Sequence, residues 1–253
     1  IPITWEEAIN IVAGELRRVI DKHGNSSIYA GSYGWASAGR FHHAQSQIHR
    51  FLNCLGGYTK SVNTYSYAAA EVILPHVIGV NAAKIMTQQT SWSSIVNNAK
   101  LMVSFGGFPT GNSQISNGGV SDHIQVDYLR QASSNGISLI SIAPRQSIVD
   151  KAEQIEWIKA RPNSDTALIL GICHTLLKES LFNINFLKKF TVGYEKFFQY
   201  LTGQSDGVVK NADWAEQLSG VSSYKIMSLA RKMANTPTML SITWSLTRQE
   251  NGE

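Results

Sequence analysis

The chain has 253 residues, of which 43% are apolar and only 16% charged, and a formal net charge of +4. Too much of it calls for burial for a disordered chain, and the mild charge suits a phosphate-bearing ligand but not a nucleic-acid footprint. No apolar run approaches the roughly 18 residues of a membrane-spanning helix, and two cysteines, Cys54 and Cys173, exclude a disulfide scaffold or a four-cysteine metal cluster within these residues.

A surface this poor in charge implies that much of it meets a cofactor, a partner or the rest of a longer chain. The ends, Ile1 and Glu253, carry neither a signal-like segment nor a tapering tail, and read as those of an internal fragment.

Thr4-Trp5-Glu6-Glu7 predicts a capping box. Ile9, Val12, Leu16 and Ile20 then recur at helical spacing, and Gly24 stops the helix. Ser27–Tyr33 reads as a buried strand leading into Gly34-Trp35. A second helix is expected from about Ser37 to Leu55, with Phe41, Ile48, Phe51 and Leu52 on one side and Gly56-Gly57 ending it. A short helix starts at Ala68. Leu101–Phe105 is an apolar strand followed by Gly106-Gly107. A helix over Asp122–Ala132 and a strand over Ile137–Ile142 come next, with a further strand near Gln154–Ile158. Helices are expected over Asp165–Leu177, Phe186–Leu201 and Ser222–Ala234, and a last strand over Thr238–Thr243. Strands alternating with helices imply an α/β fold with a parallel sheet covered on both faces.

In such a sheet, ligands sit beyond the carboxyl ends of the strands. Glycines in Gly106-Gly107-Phe108-Pro109-Thr110-Gly111-Asn112 let a phosphate approach backbone N–H groups, or simply make a turn. After the next strand come Ala143, Pro144 and Arg145. A Rossmann NAD site carries an acid where Ala143 stands, so ordinary NAD binding is disfavoured. Asp165 either caps its helix or keeps a carboxylate free to grip a guanine edge. His42, His43 and His49 lack the i, i+4 pairing of zinc helices and read as solvated or packed. Cys54 and Cys173 lie at apolar helical positions and read as buried, inert thiols. Ser66 sits in no nucleophile elbow, and Tyr33 and Trp35 fit an aromatic core equally well.

An ordered series runs through the chain. It begins with Tyr33-Gly34-Trp35, Gly39, His43, Gln45, Gly56-Gly57 and Tyr65-Ser66, and continues with Ala69, Val72–Gly79 and Gln88–Trp92. Ser164–Leu168, Tyr200–Gly203, Ser205–Gly207, Ala212–Ala215, Trp244-Ser245, Arg248 and Gly252-Glu253 complete it. This series resembles the molybdopterin-dependent S- and N-oxide reductases over essentially all 253 residues.

The resemblance implies Rossmann-like dinucleotide-binding units and a bis(molybdopterin guanine dinucleotide) molybdenum cofactor. Residues 1–75 would form part of an α/β domain carrying the molybdenum-ligand loop, and 76–253 a Rossmann-like domain for one guanine dinucleotide. Ser66 would be the metal ligand; a hard oxygen donor suits a high-valent metal beside dithiolene sulfurs. Tyr33 and Trp35 would donate hydrogen bonds to the transferred oxygen, with Trp35 also touching the cofactor. Gly106, Gly107 and Asn112 would lie near a pyrophosphate, with Arg145 nearby, and Asp165 would read the guanine. Trp244, Ser245 and Arg248 would line the site.

The implied activity is reduction of S-oxides, or N-oxides, by oxygen-atom transfer to reduced molybdenum. An electron-donor protein such as a c-type cytochrome would supply electrons, in the periplasm. The rival readings are a non-catalytic scaffold or electron-transfer subunit of the same fold, and an NAD-type dehydrogenase. Retention of Ser66, Tyr33 and Trp35 opposes the scaffold. Ala143 and the lack of a G-x-G-x-x-G motif oppose the dehydrogenase. Two positions depart from the family, which usually has Asp or Asn at Ala143 and a polar residue at Phe108.

Overall fold

A computed structural model describes residues 1–32, 42–64, 66–111 and 122–252. The chain divides into two compact units, one built on Ile1–Asn63 and a larger one on Thr64–Asn112 with Ile124–Glu253. The division read from sequence stood between residues 75 and 76. Packing groups residues 64–75, and with them Ser66, with the larger unit.

In the smaller unit, α1 (Trp5–His23) starts on the expected capping box. Thr4 Oγ1 accepts from the Glu7 N–H at 3.2 Å, and the Glu7 carboxylate accepts from the Thr4 N–H at 2.8 Å. Gly24 closes the helix with positive φ. The expected strand over Ser27–Tyr33 shrinks to β1 (Tyr29–Ala30), and Tyr29 is 69% exposed rather than buried. Its partner β2 (Thr59–Lys60) is equally short, and such a two-rung parallel ladder offers little surface to cover either face. Between them, α2 (Ala44–Cys54) begins later than Ser37, because the His43 ring caps it. The expected start and Phe41 lie outside the described residues. Cys54 is exposed, not buried, because Leu52 is the residue that α2 buries. His49 bonds and stacks with Tyr58.

The larger unit opens with α3 (Ala68–Val77), α4 (Ala82–Thr87) and α5 (Trp92–Asn98). It continues through β3 (Leu101–Phe105), α6 (Gln125–Ser134), β4 (Ser138–Ala143), α7 (Ile148–Ala152) and β5 (Glu156–Lys159). Then come α8 (Asp165–Lys178), α9 (Ile184–Phe190), α10 (Tyr194–Leu201), α11 (Ala212–Ser219), α12 (Ser223–Ala234) and β6 (Thr238–Ile242). The single helix expected over Phe186–Leu201 is two, because Gly193 turns the chain with φ 82°. Helices α4, α5, α7 and α11 had no counterpart in the periodicity. All are eight residues or shorter, and each starts on a side-chain cap: Asn81, Ser91, Ser147 or Asn211.

The four long strands form one parallel sheet in the order β5-β4-β3-β6. Alternation along the strands sorts the core into two layers. Leu101, Val103, Phe105, Ile140 and Ile142 meet Leu168, Ile172, Ala215, Ile226 and Leu229 from α8, α11 and α12. Met102 and Leu139 meet Ile95, Val96, Leu129, Ala132 and Val149 from α5, α6 and α7. Both faces are thus covered over β3 and β4, whereas Leu240 and Ile242 on the edge strand β6 stand exposed.

Helix α8 approaches α11 through Gly171, where an added Cβ would stand 2.7 Å from the Ala215 Cβ. Two effects compete in Gly171→Ala. Helix propensity favours alanine by about 1 kcal/mol, while forcing a methyl into a closed helix contact costs about 1–3 kcal/mol. The clash is expected to win. Urea unfolding should show Gly171→Ala destabilised and Ala215→Gly relieving it in the double variant; a single variant more stable than wild type would contradict this packing.

Candidate active site

The strand order β5-β4-β3-β6 defines where a ligand can enter. From β3 the chain builds β4 and β5 to one side, then returns as β6 on the other. The connections diverge between β3 and β6, and in an open α/β sheet this switch point leaves a crevice at the carboxyl ends of the strands. Two segments line it: Gly106–Gly111 after β3, and Thr243-Trp244-Ser245 after β6.

The two segments touch at Gly106. Its backbone has φ 94°, and an added Cβ would lie 2.1 Å from Thr243 Oγ1 and 2.7 Å from Thr243 Cγ2. Only glycine fits both the conformation and the space. The Gly106 N–H donates to the Ile142 carbonyl at 2.9 Å, and the Thr243 N–H donates to the Phe105 carbonyl at 3.1 Å. Thr243 also shares a 2.5 Å hydroxyl contact with Ser245.

Buried hydroxyls on the strands support the glycine loop. Ser104 Oγ donates to the Gly107 carbonyl at 2.7 Å. A Cβ on Gly107 would stand 3.1 Å from Ser141 Oγ and 3.4 Å from Ala143 Cβ, so this glycine, with φ 73°, lies directly on β4. Ser141 donates to Asp150 Oδ2 at 3.3 Å, and the Ser147 N–H reaches the same oxygen at 2.7 Å. Asp150 is fully buried, and its Oδ1 has no hydrogen-bond partner among the described residues. Phe108 is also buried, in the layer with Met102 and Leu129. Its departure from a polar residue thus anchors the loop by packing. Ala143 is buried and offers no side chain to a ribose; its carbonyl accepts from Trp157 Nε1 at 2.9 Å. Arg145, beyond it, is exposed.

Asp165 is the first residue of α8 and Ser164 holds the cap position, so Asp165 is not the helix cap. The residue is 6% exposed, and the Gln249 side chain lies within hydrogen-bonding reach of its carboxyl. Burial pushes the Asp165 carboxyl above the ordinary carboxylate range, while the Gln249 bond opposes that shift. Thr166 Oγ1 donates to the Asn251 carbonyl at 2.6 Å, a second tie between α8 and the segment that follows β6.

Ser66 is half-buried, just ahead of α3, with its N–H donating to Thr64 Oγ1 at 3.2 Å. The adjoining Tyr67 ring meets Trp244 edge-on, with centroids 4.6 Å apart. The structure therefore brings Gly106, Gly107, Trp244, Ser245 and the Ser66 loop to the β3/β6 crevice, and ties Asp165 to the same carboxyl-terminal segment. Arg248 ends a 3-10 turn (Leu246–Arg248) and is exposed. Tyr33, Trp35 and Asn112 lie outside the described residues. Sequence reasoning missed Tyr67, Thr243, Gln249 and the Ser141–Asp150 pair. Of these, Ser147-x-x-Asp150 carried a capping-box signal; the others depend on contacts distant in sequence.

Two expectations follow. Gly106→Ala should destabilise the protein by about 2 kcal/mol or more, from its positive φ and the collision with Thr243; chemical denaturation measures this, and wild-type stability would contradict the contact. Asp165 has a folded pKa above its unfolded one. Its contribution to stability is therefore present in full below the unfolded value and lost as pH rises through the folded value. Relative to Asp165→Asn, the wild-type protein should lose stability across that window as pH rises; unfolding midpoints that run parallel would show that Asp165 is not desolvated.

Comparison with known proteins accords with this geometry. The family model described as molybdopterin oxidoreductase matches residues 1–253. Biotin sulfoxide reductase of Cereibacter sphaeroides is 39% identical over 253 residues, all of this chain and 34% of that protein. Trimethylamine-N-oxide reductase of Haemophilus influenzae is 38% identical across 99% of this chain and 30% of its own length. The dimethyl sulfoxide/trimethylamine N-oxide reductase of Cereibacter sphaeroides matches equally, at 38% and the same coverage. The chain thus spans about a third of these relatives' length. Among solved structures, acetylene hydratase from Pelobacter acetylenicus shares the fold, with a TM-score of 0.61, 22% identity, and coverage of 100% of this chain and 31% of that one. This chain's homologues are S-oxide and N-oxide reductases, and the chain belongs to the molybdopterin oxidoreductase family, whose cofactor is a molybdenum–molybdopterin complex.

Proposed function

We propose that this chain supplies the molybdenum-ligand loop and one guanine-dinucleotide cradle to an enzyme that reduces S-oxides, or N-oxides, at a bis(molybdopterin guanine dinucleotide) centre. The observation that carries the reading is the glycine-walled crevice between β3 and β6, with the Ser66 loop held beside it through Tyr67 and Trp244. The names of the relatives supply the substrate class.

The residues suit such a group. A pyrophosphate needs backbone N–H groups without intervening side chains. Gly106 and Gly107 hold the loop after β3 tight against Thr243 and Ser141 and spend their own N–H groups on the Ile142 and Ser104 carbonyls, so a pyrophosphate would draw its donors from the loop beyond them. A guanine edge presents N–H donors, and Asp165 is a buried carboxylate that already has the Gln249 amide, a donor of similar chemistry, within hydrogen-bonding reach. Ala143 leaves the ribose without a carboxylate partner, which sets this cradle apart from an NAD site.

When bound, the molybdenum centre would supply two-electron oxygen-atom-transfer chemistry. The protein's part is to place and polarise. Ser66 Oγ, once deprotonated, would offer the metal a hard oxygen donor. By the family resemblance, the Tyr33 hydroxyl and the Trp35 N–H would donate to the substrate oxygen as it gains negative charge, which would favour the transition state over the ground state. Trp244 and Ser245 form a wall of the crevice, and Arg248 adds an exposed cation near it.

Ser66→Ala in the full-length enzyme tests the reading. Losing a half-buried hydroxyl costs on the order of 1 kcal/mol of stability. The purified, molybdenum-containing variant should therefore be folded but unable to reduce a sulfoxide or an N-oxide. Wild-type turnover on both would sink the assignment.

A further inference from the structure

Among the described residues, the bond at the Ser66 turn runs from its N–H to Thr64 Oγ1; it shapes the turn and does not engage the Ser66 hydroxyl. The restraint lies one residue later. Tyr67 occupies the position ahead of α3, and its ring meets Trp244 at 87°, the edge-to-face geometry that aromatic quadrupoles favour. Helix α3 packs against the Leu246–Arg248 turn, so the same two segments meet again one turn further on.

This contact is anchored at its far end. Trp244 follows Thr243, whose N–H is bonded to the end of β3 and whose side chain fills the space left open by Gly106. A rigid path thus runs from the central strand through Thr243 and Trp244 to Tyr67, and from there along the backbone to Ser66. Neither ring belongs to the two hydrophobic layers that hold the sheet, and Trp244 is 38% exposed. The pair is therefore poorly placed to serve as core and well placed to fix a loop.

We propose that the Tyr67–Trp244 contact is a clasp that positions the Ser66 hydroxyl at the β3/β6 crevice, with Tyr67 as a positioning residue that acts through Ser66. The proposal rests on the reading of Ser66 as a metal ligand. A ligand oxygen has to meet its metal at one distance and from one direction, and displacement by about 1 Å costs on the order of 100-fold in rate.

The test uses the full-length, molybdenum-loaded enzyme with Tyr67→Leu, Tyr67→Phe and Ser66→Ala. It reads molybdenum per chain, the serine-oxygen shell in X-ray absorption at molybdenum, the thermal midpoint, and kcat and KM separately. Tyr67→Leu is expected to keep wild-type molybdenum content and fold, to weaken the serine-oxygen shell, and to lower kcat by about 10- to 100-fold while KM stays within about threefold. Tyr67→Phe, which keeps the ring edge, is expected to restore both the shell and kcat. If Tyr67→Leu does not fold, Tyr67→Met replaces it under the same criteria. A wild-type shell and kcat in the truncated variant, or a Tyr67→Phe loss as large as that of Tyr67→Leu, overturns the clasp. An unchanged shell in Ser66→Ala overturns the ligand reading instead, whatever Tyr67→Leu does, so the two failures are distinct.

Discussion

The close approach of Gly106 to Thr243 is the constraint on which the rest of the site depends. It joins the ends of β3 and β6 at the point where the chain reverses its order across the sheet. A side chain at Gly106 would part the two strand ends and fill the crevice together. The absence of a Cβ therefore lets β6 register fully against β3, with the Thr243 side chain lying against the glycine. Everything else at the site is hung on that seam: Ser104 and Ser141 hold the glycine loop from beneath, Trp244 holds the Ser66 loop, and Gln249 holds Asp165.

These supports are polar groups placed inside an apolar sheet, and they carry a cost. Burying Ser104, Ser141 and Asp150 is tolerable because Ser104 and Ser141 donate to a loop carbonyl or a carboxylate, and Asp150 accepts twice through Oδ2. Among the described residues, Asp150 Oδ1 and Gln125 Oε1 are buried without a partner, and burial raises the Asp165 carboxyl.

Much of this was legible from residue patterns, for a physical reason. Leu101–Phe105, Ile137–Ile142 and Asp165–Leu177 are buried on more than one side, so their apolar runs are long and their ends are marked by glycine, proline or a charge. The short helices α4, α5, α7 and α11 were illegible because their starts rest on one capping side chain and their burial on the neighbours they meet. The strand expected at Ser27–Tyr33 failed because apolar content was read as burial, whereas Tyr29 stands exposed on a two-residue strand. At the site, Gly106, Gly107 and Asp165 could be placed from their positions after strands or before a helix. Ser66 and Trp244 depended on resemblance, and Tyr67, Thr243 and Gln249 became visible only through contacts spanning large stretches of chain.

The crevice, the serine loop and the buried carboxylate underlie the proposal that this chain shapes part of a site for molybdenum held by guanine-dinucleotide pterins. Quantifying metal and released nucleotide in the purified full-length protein tests it most directly. The account predicts molybdenum at about one atom per chain, together with guanosine monophosphate freed on acid hydrolysis. A protein that carries no molybdenum under conditions that load its relatives, or that releases a nicotinamide nucleotide in place of guanosine monophosphate, would contradict it.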